Sequence, residues 1–404
     1  MTLPKHYALA LTAVAMTVAI ALALPGGLAA QKAQAASHPS NYRVFILPNT
    51  LKGTTSAANA INDLGWAMGS ADFAGNTTSE AVVWINGKML KLGTLGGPNS
   101  SVAWEGVKNN QGLIVGISDT SIVQPRGEIF SCALAGFFPS ASGNTCQGFL
   151  WQHGSLSALP TLGGDNGFAT GINNKDQVIG WAETSFEDPT CNPPQVLQFL
   201  PYVYDVKTAK ITALQPYPGD SDGTADAIND KGQIAGISGI CSNAVGGASA
   251  IHAVLWQDQN STPIDMGNLG GKAWNTPTSM NAKGQVVGFG NPSGDQNAAP
   301  NPMAFFWSQS TGMQNLGTLA QDSNSIAYAI NKSGLIVGQS FGGPNGSHAF
   351  IYQGGTMTDL NSLMIGHNSW TLVYANDVND SGVIVGGALN SKTGETPAFV
   401  AIPY

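Results

Sequence analysis

The sequence predicts an all-β fold, a seven-bladed β-propeller of four-stranded antiparallel blades. Three observations carry that expectation: a glycine-rich and charge-poor composition, a frame that recurs seven times, and a last repeat that is one strand short. Of 404 residues, 51 are glycine and only 10% are charged, against averages of roughly 7% and ~25%. With 43% apolar residues such a chain buries a large core, and glycine without a collagen period signals many tight turns between short strands.

The frame is an Asn, three residues to a Gly, and four more to a second Gly, set among apolar residues; Asn229/Gly232/Gly236 is its clearest copy. It returns at Asn62/Gly65/Gly69, Asn109/Gly112/Gly116, Asn173/Asp176/Gly180, Asn281/Gly284/Gly288, Asn331/Gly334/Gly338 and Asn379/Gly382/Gly386. Separations of 47, 64, 56, 52, 50 and 48 residues describe one repeated unit with loops of variable length. Asn-x-x-Gly between two apolar runs suits a tight turn closed by a residue in the left-handed region, which Gly enters freely and Asp176 tolerates better than most residues. The second Gly is placed at the end of strand two. A third apolar segment ends on an aromatic, as in Val83-Trp84, Leu150-Trp151 and Leu255-Trp256, and reads as a strand. A fourth is read at segments such as Leu92-Gly93-Thr94-Leu95, Leu159-Pro160-Thr161-Leu162 and Leu316-Gly317-Thr318-Leu319. The seventh copy stops after its third strand, and the missing one is found at the other end, where residues 42–51 resemble Leu159 to Leu162. Pairing this N-terminal strand into the last blade closes a ring and leaves no free edge.

Residues 1–35 read as a secretory signal: Lys5 and His6 begin it, Tyr7 to Leu24 carries no formal charge, and Ala33-Gln34-Ala35 supplies small residues for cleavage after Ala35. The alternative is an uncleaved anchor, since 18 residues is the lower edge of a membrane span. Residues 36–404 are then a single propeller domain. Removing Lys5 and Lys32 leaves 14 basic against 24 acidic side chains, net −10, a surface that repels nucleic acid and anionic lipid. No membrane partner is expected after cleavage, and the chain is expected to be a monomer.

The hairpin register, Leu92 to Gly97 and His348-Ala349-Phe350 together resemble the bacterial extracellular HAF repeat family, named for that tripeptide. The resemblance covers nearly all of residues 42–404, with looser forms of the triplet at His252, Met303 and Pro397. It implies a secreted or surface-displayed repeat protein and no particular reaction.

The connection between strands two and three varies most in length, at residues 119–146, 182–198, 239–251 and 289–301. Alternate connections of an up-and-down blade share a face, so these loops gather at one end of the ring with the crossings between blades, and binding residues favour long loops on a rigid scaffold. All four cysteines lie there. Cys132 and Cys146 share one insertion, whereas Cys191 and Cys241 stand at comparable points of neighbouring blades, so the expected disulfides are 132 with 146 and 191 with 241.

No Ser/His/Asp set, phosphate loop, dinucleotide fingerprint or metal-binding pattern is assembled, and no cofactor is expected. Asp220-Ser221-Asp222-Gly223 is a faint calcium-loop echo without the full ligand pattern. Trp104, Trp274 and Trp370 fall where a crossing enters strand one, and Glu105 and Asn275 follow two of them. Aromatic rings beside amides and carboxylates can stack on sugars and bond their hydroxyls; alternatively these tryptophans wedge between blades. The leading expectation is a secreted, non-catalytic module binding an extracellular glycan or peptide, or acting as a scaffold. The rival is a polysaccharide lyase or glycosidase using carboxylates such as Glu105 and Asp226.

Overall fold

Seven four-stranded antiparallel sheets are arranged as the repeats demand. The computed structural model describes residues 41–102, 108–128, 138–244, 251–271, 274–293, 301–366 and 369–404. Blade 1 runs through Lys52–Ile61, Ala67–Phe73, Ser79–Ile85 and Lys88–Gly93. Blades 2 to 6 repeat the meander over residues 96–158, 163–213, 222–265, 276–315 and 324–359. Blade 7 takes three strands from the C-terminal end, Trp370–Val378, Ile384–Asn390 and Ala398–Pro403, and its fourth from Tyr42–Ile46. That strand pairs antiparallel with the last one, Tyr42 opposite Pro403 and Ile46 opposite Phe399. The expected closure of the ring is therefore present.

The frame's first half is the turn from strand one to strand two. Gly65, Gly112, Gly232, Gly284, Gly334 and Gly382 have φ between +77° and +91°, and Asp176 takes the same place at +64°. Each Asn Oδ1 accepts the backbone N–H groups two and four residues on; at Asn331 these are Ser333 and Leu335, at 3.1 and 3.0 Å. Each Asn Nδ2 donates to the backbone carbonyl of the Asn in the next blade. The chain of donors runs Asn62, Asn109, Asn173, Asn229, Asn281, Asn331, Asn379 and back to Asn62, with lengths of 3.0–3.2 Å. One residue per blade thus caps its own turn and ties it to the neighbour.

The second Gly has a different cause from the one its spacing suggests. It lies near the start of strand two, which continues for several residues beyond it. There a Cβ would collide with a backbone carbonyl of strand one, for instance that of Ala57 at Gly69, Thr224 at Gly236 or Tyr374 at Gly386. The approach is close because strand one carries a β-bulge opposite it, at Asn59, Thr170, Asp226, Thr278, Tyr328 and Asn376. The Leu-x-x-Leu segments also differ from expectation: the fourth strands, such as Ser155–Ala158 and Gly312–Asn315, lie just ahead of them. The first residue of the segment still bonds strand three, as Leu159 N to Gly148 O at 2.8 Å, and the rest crosses to the next blade.

Apolar side chains fill the spaces between blades. Trp84 of blade 1 packs with Val385 and Ala398 of blade 7, and its Nε1 donates to Pro48 O at 2.8 Å; Trp256 does the same with Gln215 O, also at 2.8 Å. Among the described residues no helix is long and apolar enough to cross a membrane.

Candidate functional site

Inner strands line a central channel with two unequal openings. On the face of the tight turns is a shallow pit of about 90 Å³, bordered by turn residues from all around the ring, including Asp63, Asp230 and Asp380. Those carboxylates are already engaged: Asp63 accepts Asp380 N at 2.9 Å, Asp230 accepts Asn174 N at 2.9 Å, and Asp380 meets Lys332 Nζ at 3.2 Å.

On the face of the long loops is a cavity of about 440 Å³ bounded by blades 6, 7, 1 and 2. Blade 1 supplies Thr55, Ala57 and Asn59 from one side of its inner strand, Ser70 and Asp72 from its second, and Ser79 from its third. Alternation along a strand places such i, i+2 residues on one face. Tyr328 and Tyr374, from the inner strands of blades 6 and 7, bring two aromatic side chains, and Gln339 and Asn376 bring amides. Phe138 and Pro139 come from the long insertion of blade 2, which is held against blade 1 by Ser140 Oγ donating to Thr77 O at 2.7 Å and to its own blade by Asn99 Nδ2 donating to Ser140 O at 3.3 Å.

Lys108 of blade 2 reaches past blade 1 to pair with Asp377 of blade 7 and donates to Val378 O at 3.1 Å. Asp377 Oδ2 also accepts Ile61 N at 2.8 Å. Asp377 stands in the strand between Asn376, which borders the cavity, and Val378, which with Lys108 borders the pit.

Among the described residues the lining is polar and nearly uncharged: Asp72 is its single carboxylate, and it holds no Lys, Arg or His. Burial pushes the Asp72 carboxyl up to about 6. Burial also raises both phenols, keeping Tyr328 and Tyr374 neutral hydrogen-bonding groups. Tyr328 Oη donates to Gln339 Oε1 at 3.1 Å, and Asn376 Nδ2 to Ala58 O at 3.2 Å. Such a surface recognises hydroxyls and amides through directional bonds, with aromatic side chains for contact.

Of the residues singled out in the sequence, Trp274, Asn275, Trp370 and Asp226 are not among those that border the cavity. Trp370 packs on the apolar cluster of blades 6 and 7. Trp274, at φ +61°, lies against Phe289 with ring centroids 5.8 Å apart and its Nε1 buried without a protein partner. Asn275 is buried and donates to Ile251 O at 3.0 Å. Trp104 and Glu105 lie outside the described residues. Asp226 is buried at a bulge, its Oδ1 accepting Thr224 Oγ1 at 2.6 Å, and desolvation raises its carboxyl to about 7. Asp220 is engaged by His252 Nδ1 at 2.8 Å and Asp222 by Phe199 N at 2.9 Å, so the calcium-loop echo is two structural carboxylates. Among the described residues no group of three or more His, Cys, Asp or Glu is placed to hold a metal.

Cys191 and Cys241 form the expected disulfide between the loops of blades 3 and 4. Cys146 is also disulfide-bonded; its expected partner, Cys132, lies outside the described residues.

The fold and the loop-face cavity define a closed propeller with a polar mouth. No family model and no curated protein matches the sequence. Solved structures resemble it in fold. Oligogalacturonate lyase from Vibrio parahaemolyticus has a TM-score of 0.52 at 9% identity over 90% of this chain and 96% of that one. The β-propeller domain of the Trilobed protease from Pyrococcus furiosus gives 0.48 at 10% identity over 89% and 95%. An acylaminoacyl peptidase from Pyrococcus horikoshii gives 0.49 at 8% identity, over 88% of this chain and 52% of that one.

Proposed function

We propose that this protein is a secreted, non-catalytic binding module whose loop-face mouth takes a hydroxyl-rich glycan. The cavity carries this reading: about 440 Å³ bordered by serine, threonine and tyrosine residues and by the amides of asparagine and glutamine. Sugar hydroxyls find donors and acceptors on such a lining, and tyrosine rings offer contact area. Export is supported by the signal-like start of the chain and by the disulfide, which belongs to oxidising compartments. The resemblance to HAF repeat proteins agrees with an extracellular role.

Display of the chain against panels of polysaccharides and peptides, with analysis of the soluble products, tests the reading. Retention on a glycan without turnover is expected, and Ser70→Phe, which places a ring in the cavity, removes it. Retention on peptides alone, or retention unaffected by Ser70→Phe, contradicts it. The raised Asp72 carboxyl gives the enzymatic rival one acid, but glycoside hydrolysis uses two carboxylates about 5–10 Å apart. Release of reducing ends or unsaturated sugars would establish that rival instead.

A further inference from the structure

Three blades carry an acid three residues after the second Gly of the frame: Asp72, Asp119 and Glu183. In two of them an asparagine of the blade's first strand donates to it. Asn99 Nδ2 donates to Asp119 Oδ2 at 2.9 Å in blade 2, and Asn166 Nδ2 to Glu183 Oε1 at 3.1 Å in blade 3. The strand registers put Thr55 at the matching position of blade 1. Asp72 is only 7% exposed, yet its carboxylate has no hydrogen bond or ion pair among the described residues. Directly across the strand pair stands Ser79, 1% exposed, with an Oγ that is also without a partner.

Cross-strand partners project to the same side of a sheet, with Cβ atoms about 5 Å apart, and both residues border the loop-face cavity. Leaving a buried carboxylate and hydroxyl unpaired costs stability that a hydrophobic pair would not. In blades 2 and 3 the chain supplies side-chain donors to the same acid, Asn99 to Asp119 and Asn166 with Gln195 to Glu183. Asp72 borders the cavity with Ser79 Oγ buried across the strand pair from it, and among the described residues the lining offers no cation.

We propose that Asp72 and Ser79 bind the ammonium group of an amino sugar within the glycan. This rests on the glycan-binding reading and narrows its ligand class. The ammonium donates to the Asp72 carboxylate and to Ser79 Oγ, and the aromatic side chains of Tyr328 and Tyr374 supply surface compatible with a cationic sugar ring.

The test is calorimetric titration of the mature chain with a β-1,4-linked glucosamine tetrasaccharide and with its fully N-acetylated counterpart, which lacks the charge. The free-amine oligosaccharide is expected to bind about 30-fold or more tightly, the effect of completing a desolvated charge pair. Asp72→Asn, nearly identical in shape, abolishes that preference; Ser79→Ala weakens it; thermal unfolding of both variants verifies that they fold. Equal affinity for the two oligosaccharides, or a preference that survives Asp72→Asn in a folded protein, overturns the assignment while leaving the glycan reading in place. Failure of both to bind overturns the amino-sugar assignment, and the polysaccharide panel then decides the glycan reading.

Discussion

Asn331 shows how one residue type, used seven times, encodes an architecture. Its amide accepts Ser333 N and Leu335 N and donates to Asn379 O at 3.0 Å. Asn331→Ala leaves those buried groups without partners, and we expect a loss on the order of 3 kcal/mol in urea unfolding. Asn260→Ala, on an exposed turn, should change stability by less than about 0.5 kcal/mol. The same economy made the fold legible in the sequence: Asn and Gly recur because turn geometry and a close carbonyl require them in every blade. The cavity was not legible for the opposite reason. Its residues come from four blades at positions that do not repeat, and the informative signal at Asp72 is the Thr55 that stands where blades 2 and 3 place Asn99 and Asn166.

At the scale of strands and loops, the sequence reading placed the blade boundaries well and two details wrongly. The Leu-x-x-Leu segments stood out by their apolar residues, but much of that apolarity serves crossings over neighbouring blades, while the fourth strands ahead of them are short and half exposed. The connections on the loop face are fastened by more than the disulfide between Cys191 and Cys241. Asp188 and Asp222, both buried there, face each other as carboxyl and carboxylate. Burial, reinforced by the Asp188 charge, raises the Asp222 carboxyl from 3.8 to about 7. Between pH values of about 4 and 7 the folded chain therefore holds a proton that the unfolded chain releases, so the contribution of this group to stability is lost as pH rises, by up to about 1.4 kcal/mol per pH unit. Burial of Asp72 and Asp226 acts in the same direction. Chemical unfolding across that interval should show stability declining with pH, and Asp222→Asn should flatten the decline by the share of one group.

For the molecule as a whole, closure by Tyr42–Ile46 and the crossbar from Lys108 to Asp377 turn seven similar blades into an asymmetric object. One end is a ring of turns whose polar groups are paired with one another. The other is a mouth bounded by blades 6, 7, 1 and 2, with unpaired polar groups on its wall. Placing the ligand at this mouth is the central claim, and a crystal structure of the mature protein with a bound glucosamine tetrasaccharide tests it most directly. A sugar ring is expected in the loop-face cavity with its amino nitrogen within hydrogen-bond distance of Asp72 and Ser79. A sugar seated on Trp274, on Trp370 or in the pit of the turn face, with the cavity empty, would contradict it.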